Sequence, residues 1–194
     1  MSEEKKNHSK LANQVINQHL LWSMAAGAVP IPILDIAAVS MIQIDMVKQL
    51  CAAYDLPYTE SQGKSIVTAI AGSTLARIAA SAVKGIPVIG TALGGVSMVI
   101  LSGASTYGIG KVFLNYFDMG KGLDDIDIEE GKKQYEEEFK KGKEHAMTLQ
   151  KDGKVKNQAE VFKKLDKLKK LKDAGVLTDE EFDTKKEELL SKVN

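Results

Sequence analysis

The stretch from Val88 to Gly110, VIGTALGGVSMVILSGASTYGIG, carries no charge and is punctuated by glycine, serine and alanine. As a helix, roughly 20 such residues span about 30 Å of hydrocarbon. Its small residues recur at helical spacing: Gly90 and Gly94, then Ser102, Thr106 and Gly110, with Ala104 and Gly108 beside them. In water each glycine inside a helix costs about 1 kcal/mol relative to alanine. So many in one helix need an offsetting gain, and close helix-to-helix approach through small-xxx-small faces is the usual one. These seven positions are therefore read as a helix-packing face.

The run belongs to a longer apolar block. Between residues 20 and 117 the charges are Asp35, Asp45, Asp55, Glu60, Lys48, Lys64, Arg77, Lys84 and Lys111, whereas about half of the chain beyond residue 117 is charged. Across all 194 residues Lys+Arg and Asp+Glu both number 26. A balanced chain lacks the basic field that nucleic-acid binding demands, so no nucleic-acid partner is expected. A single cysteine, Cys51, excludes an internal disulfide and fits a small buried hydrophobe. Residues 1 to 19 are polar, so no cleavable signal peptide is expected.

Along the block, apolar residues at helical spacing place a first helix from a cap at Ser9 through Leu11, Val15, Ile16, Leu20 and Met24 to Gly27. Pro30 and Pro32 end it, because proline removes a donor and biases its predecessor out of the α region. Gly27, Pro30, Pro32 and Asp35 then form a hairpin turn, with Asp35 in the first turn of a second helix, Ile36 to Tyr54. Its apolar face is Val39, Ile42, Met46 and Leu50, with Gln43 and Asp45 on other sides. A third helix runs from Thr59 or Ser61 to about Lys84. Gly85-Ile-Pro87 separates it from the fourth, which continues to about Phe117. No segment alternates as a strand does.

The composition changes near residue 120. Residues 121 to 160, Lys/Glu-rich with few large apolar positions, read as a charged helical linker. Periodicity returns with Phe162, Leu165, Leu168 and Leu171. Gly175 ends that helix, and Thr178-Asp-Glu-Glu181 opens a last one carrying Phe182 and Leu189 through a capping box. Two helices this short bury too little surface to stand alone, so these six apolar residues are expected to oligomerise. The resulting layout is a polar tail (1–14), an apolar helical domain (15–120), the linker (121–160) and a helical hairpin (161–194). The fold class is all-α, with Gly/Ala-rich hairpins forming a four-helix apolar block.

Catalytic patterns are not found. Gly63-Lys64-Ser65 resembles the end of a phosphate-binding loop, but position 58 is Tyr where the first glycine belongs, and no strand precedes it. His8, His19 and His145 have no carboxylate or thiol at ligand spacing. Asp35 and Asp45 stand about 15 Å apart along one helix, too far for an acid–base pair. The chain is read as a non-enzyme with no cofactor and no metal.

The run from Trp22 through Gly27, Pro30, Pro32 and Asp35 to Val39, followed by Ile42-Gln-Ile-Asp45-Met and Gln49-Leu50, resembles the bacterial family called domain of unknown function 697. Gly103-Ala-Ser-Thr-Tyr107-Gly-Ile-Gly-Lys-Val-Phe113 does so too, and the match covers roughly residues 15 to 120. That resemblance implies association with Era-like GTPases and, for several members, the inner membrane; with no G domain here, any GTPase is a separate partner. Residues about 160 to 192, with Gly175-Val-Leu-Thr-Asp-Glu-Glu-Phe182, resemble the short C-terminal domain called SHOCT, which implies oligomerisation or docking.

The leading expectation is a membrane-associated scaffold or adaptor that oligomerises, with membrane lipid as a partner. It would sit in the inner membrane with both termini in the cytoplasm, as Lys5, Lys6 and Lys10 ahead of the apolar block and Lys111 and Lys121 beyond its uncharged stretch suggest. Its rivals are a soluble, cytoplasmic helical interaction protein regulating a GTPase, and a small pore lined by Gln43 and Asp45.

Overall fold

Seven α-helices and one short 3-10 turn make up almost all of residues 3–28, 34–83 and 97–191, which the computed structural model describes. They are α1 (Glu3–Ala26), α2 (Leu34–Ala53), α3 (Glu60–Val83), α4 (Met98–Asp118), α5 (Ile128–Lys151), α6 (Lys154–Asp173) and α7 (Asp179–Leu190), with the 3-10 turn at Leu123–Asp125 before α5. Among the described residues there is no strand. The all-α reading holds.

Local chemistry explains several boundaries. Ser97 caps α4, its Oγ accepting from the N–H of Ile100. Asp127 caps α5 by accepting from Glu130 N–H at 2.8 Å, with Glu129 and Glu130 in the dipole-favoured first turn. Gly175, at φ +70°, ends α6: its N–H donates to the carbonyl of Lys172 and that of Val176 to Leu171, a Schellman closure. Thr178 and Glu181 form the reciprocal box that starts α7. The start of α1 differs from expectation. It begins at Glu3, ahead of Ser9, whose carbonyl lies within the helix and accepts from the Asn13 side chain.

α4 is the spine. It packs most extensively against α5 and α1 and also touches α2 and α3. The core on it takes Ala12 and Ile16 from α1, Val39, Met46, Val47 and Leu50 from α2, Val67 and Ile70 from α3, and Ile109, Val112 and Phe113 from α4. A second cluster joins Leu20 and Met24 to Ile100, Leu101, Ala146 and Val155. Each large side chain so buried contributes about 1.5–3 kcal/mol of transfer free energy.

The linker expectation for residues 121 to 160 is corrected. α5 belongs to the core: Gly131, Tyr135, Gly142 and Ala146 are buried, with Phe139 partly so between them. Those residues recur at 4, 4, 3 and 4, one face of a helix whose other faces hold Lys and Glu. The face is easy to miss because two of its members are glycines. The expected four-helix block is therefore a bundle in which a fifth helix closes the interior.

Candidate functional site

Three features of the chain bear on function: the small face of α4, the polar groups buried on it, and the C-terminal hairpin. On α4, Ser102, Ala104, Thr106, Gly108 and Gly110 are all buried. A Cβ on Gly110 would stand 2.7 Å from Ile16, and one on Gly108 would stand 3.0 Å from the Tyr135 ring. From the other side, a Cβ on Gly142 would lie 2.9 Å from the backbone oxygen of Ala104. Absent side chains thus let α1 and α5 approach α4. Gly90 and Gly94 lie outside the described residues. Of the turn residues, Gly27 abuts Ser102 and the Met98 backbone, and Asp35 stands in the first turn of α2. Pro30 and Pro32 also lie outside the described residues.

Gln43 points into this interior, wholly buried. Its Nε2 donates to Ser105 Oγ at 2.9 Å and to Thr106 Oγ1 at 3.3 Å. Thr106 donates to Ser23 Oγ at 2.6 Å, and Tyr135 OH donates to Ser105 at 2.9 Å. Side chains of α1, α2, α4 and α5 thereby share one hydrogen-bonded cluster. Its cost is Gln43 Oε1, buried without a partner among the described residues; such an atom costs about 1–3 kcal/mol.

Asp45 faces elsewhere, its side chain 56% exposed. Its Oδ2 lies 3.1 Å from Nε2 of buried His19 and accepts from Gln49 Nε2 at 2.8 Å. His19 Nδ1 is 2.8 Å from the carbonyl of Val15, which only accepts, so that nitrogen donates. The ring then donates to Asp45 as well only when protonated. Sequence spacing could not show this pair, because its members are 26 residues apart. The expected pore lining is corrected: Gln43 is sealed in the interior, while Asp45 lies on the surface bracing α1 to α2.

A second polar group gathers where α1, α4 and α5 meet. Lys111 Nζ donates to Asn13 Oδ1 at 2.6 Å and lies over the Tyr107 ring, and burial lowers its pKa. His145 hydrogen-bonds Asn17 at 3.0 Å, and burial, then Lys111, lowers its pKa. Cys51 is buried, its thiol pushed up to about 11 by burial, and so is not poised as a nucleophile. Among the described residues no three His, Cys, Asp or Glu side chains are grouped to hold a metal.

In the tail, Phe162 packs edge-on against Trp22 at 5.2 Å between ring centroids, and α6 lies along α1. Leu165, Leu168 and Leu189 are half-buried, Leu171 is 42% exposed, and Phe182 sits under Lys172 at 4.9 Å. The expectation that this stripe joins copies into a homo-oligomer is corrected, since its first residue is covered by α1 of the same chain.

The membrane expectations are corrected too. Among the described residues no helix is long and apolar enough to cross a membrane. α4 starts at Met98, includes Lys111, and buries its apolar residues against α1, α2, α3 and α5. This overturns the membrane scaffold, the pore, the lipid partner and the inner-membrane location with cytoplasmic termini.

Fold and site together define an all-α bundle protein with a short, highly charged hairpin at its C-terminal end. The family model described as Domain of unknown function (DUF697) matches residues 2–143, and the chain belongs to that family. A second family model, SHOCT or Short C-terminal domain, matches residues 163–190. Among curated proteins, the chain is similar to Magnetosome membrane protein 22 of Magnetospirillum gryphiswaldense. The two are 35% identical over 138 residues, which cover 69% of this chain and 71% of the relative. No solved structure matches. None of these descriptions names a GTPase, so the GTPase partner implied by resemblance is not carried forward.

Proposed function

We propose that the protein is a helical interaction protein, a close-packed bundle that holds out the α6–α7 hairpin to dock a different protein. One observation carries this reading. α6 is anchored on α1 near its start, while α7 packs on α6, leaving Leu171 and Val176, at 42% and 64% exposure, open at the far end. Exposed apolar side chains on an otherwise charged hairpin fit a docking surface. The bundle below supplies rigidity, since an element fixed at one end presents its surface at a lower ordering cost. The test is a photo-crosslinking residue at position 171 or 176 of the full chain in its native host. Adducts with a different protein are expected. Adducts only within the chain or with its own copies, or none, would overturn the reading.

A further inference from the structure

Where α6 and α7 meet, an open groove of about 300 Å³ has Leu168 and Leu189 among its lining. The rest of the lining is Lys164, Lys167 and Lys185, with Glu188 as the single acid. Among the described residues the ion pairs of α6 are Lys170–Asp166 at 2.7 Å and Lys172–Asp179 at 3.0 Å, and neither uses Lys164 or Lys167. The groove is thus an apolar strip set between cations.

Each class of occupant meets that surface differently. A purely apolar segment would cover Leu168 and Leu189 but strip water from ammonium groups without replacing it. Nucleic acid would meet the lysines and leave the leucines unused. An acidic segment with an apolar face satisfies both, and a helix laid in a groove presents its residues at i, i+3 and i+4 for that purpose. We infer that this groove binds an acidic amphipathic helical segment of a partner protein. Its apolar face rests on Leu168 and Leu189, and its carboxylates meet Lys164, Lys167 and Lys185. The inference rests on the docking reading above and adds the chemistry of the partner.

The test is fluorescence anisotropy of the full chain with a labelled helical peptide bearing leucine on one face and glutamate on the other. Two control peptides replace its glutamates by lysine or its leucines by alanine. Binding is expected for the Glu/Leu peptide alone, weakening as salt rises. Combined Lys164→Glu, Lys167→Glu and Lys185→Glu substitutions should weaken it about tenfold or more, with the thermal melt unchanged because the three side chains are exposed. Should that variant melt early, Lys→Gln at the same positions gives the reading. Equal binding by the substituted protein, or by the lysine peptide, would overturn the inference. Crosslinks from position 171 to a different protein that survive the lysine reversals would sink the groove and leave the docking function standing. Absence of both the crosslinks and the peptide binding in the unsubstituted protein would end both.

Discussion

The spine helix α4 and the C-terminal hairpin use helices for opposite ends. Along α4, glycine, serine and alanine give up side-chain bulk, so neighbouring backbones approach and 15 of its 21 residues are buried. Along α6 and α7, lysine and glutamate dominate, most side chains are exposed, and the apolar residues cover one another only in part. Charge density alone does not separate the two regimes. α5 is as rich in Lys and Glu as the hairpin, yet its Gly131–Tyr135–Gly142–Ala146 face places it inside. What decides is whether a helix owns one face smooth enough to meet α4.

The contrast is broken most severely at Tyr135, the bulkiest of the fully buried side chains, seated against Gly108 and bonded to Ser105. Tyr135→Ala should cost about 3–5 kcal/mol in urea unfolding. A cost under about 1 kcal/mol would mean that α5 is only loosely attached.

Next comes a pair of glycines. Gly142→Ala drives a methyl against the Ala104 backbone, which cannot yield as a flexible side chain would, and should cost about 1–3 kcal/mol. Gly72→Ala in α3 meets nothing nearer than a Thr68 methyl at 3.5 Å and should stabilise by up to about 1 kcal/mol. Paired melts with the same sign would refute the claim that Gly142 marks a close backbone approach and Gly72 does not.

Phe182→Asp should loosen α7 while shifting global stability by less than about 1 kcal/mol, because Phe182 packs within the hairpin. Hydrogen exchange is the readout: α7 amides lose protection while α4 amides keep theirs. Lost protection in α4 would show that bundle and hairpin unfold as one unit.

The smallest effect is a pH dependence. The folded environment lowers the pKa of His145 from 6.5, first through burial and then through Lys111. The unfolded chain therefore binds the proton more readily, so this contribution is present above pH 6.5 and lost as pH falls below it. Partial exposure keeps it shallow. His145→Gln should flatten that part of the melting profile, and a profile unchanged by the substitution would refute the assignment.

Much of the local structure was legible in the chain. Helical periodicity marked α1 to α4, Gly175 and the Thr178–Glu181 box marked the hairpin's turn, and small residues at helical spacing marked α4 as a packing surface. The boundary at residue 120 and the linker beyond it were misjudged. Glycine and alanine add little hydropathy, so the buried face of α5 vanished beneath its charges. Likewise, an uncharged stretch long enough to cross hydrocarbon looks the same whether lipid or protein covers it.

By itself, then, the sequence determined what short-range physics controls: caps, turns, helix periods and where side chains are too small to hold helices apart. Those depend on groups within about a turn of one another, so composition and spacing display them. Only the tertiary structure decided which surfaces meet. Gln43 reaches Ser105 and Thr106 across 62 and 63 residues, Thr106 reaches Ser23 across 83, and His19 reaches Asp45 across 26. No local pattern encodes such pairs. They arise when the backbone approach allowed by Gly108, Gly110 and Gly142 brings distant polar groups within hydrogen-bond range and burial leaves them each other as partners.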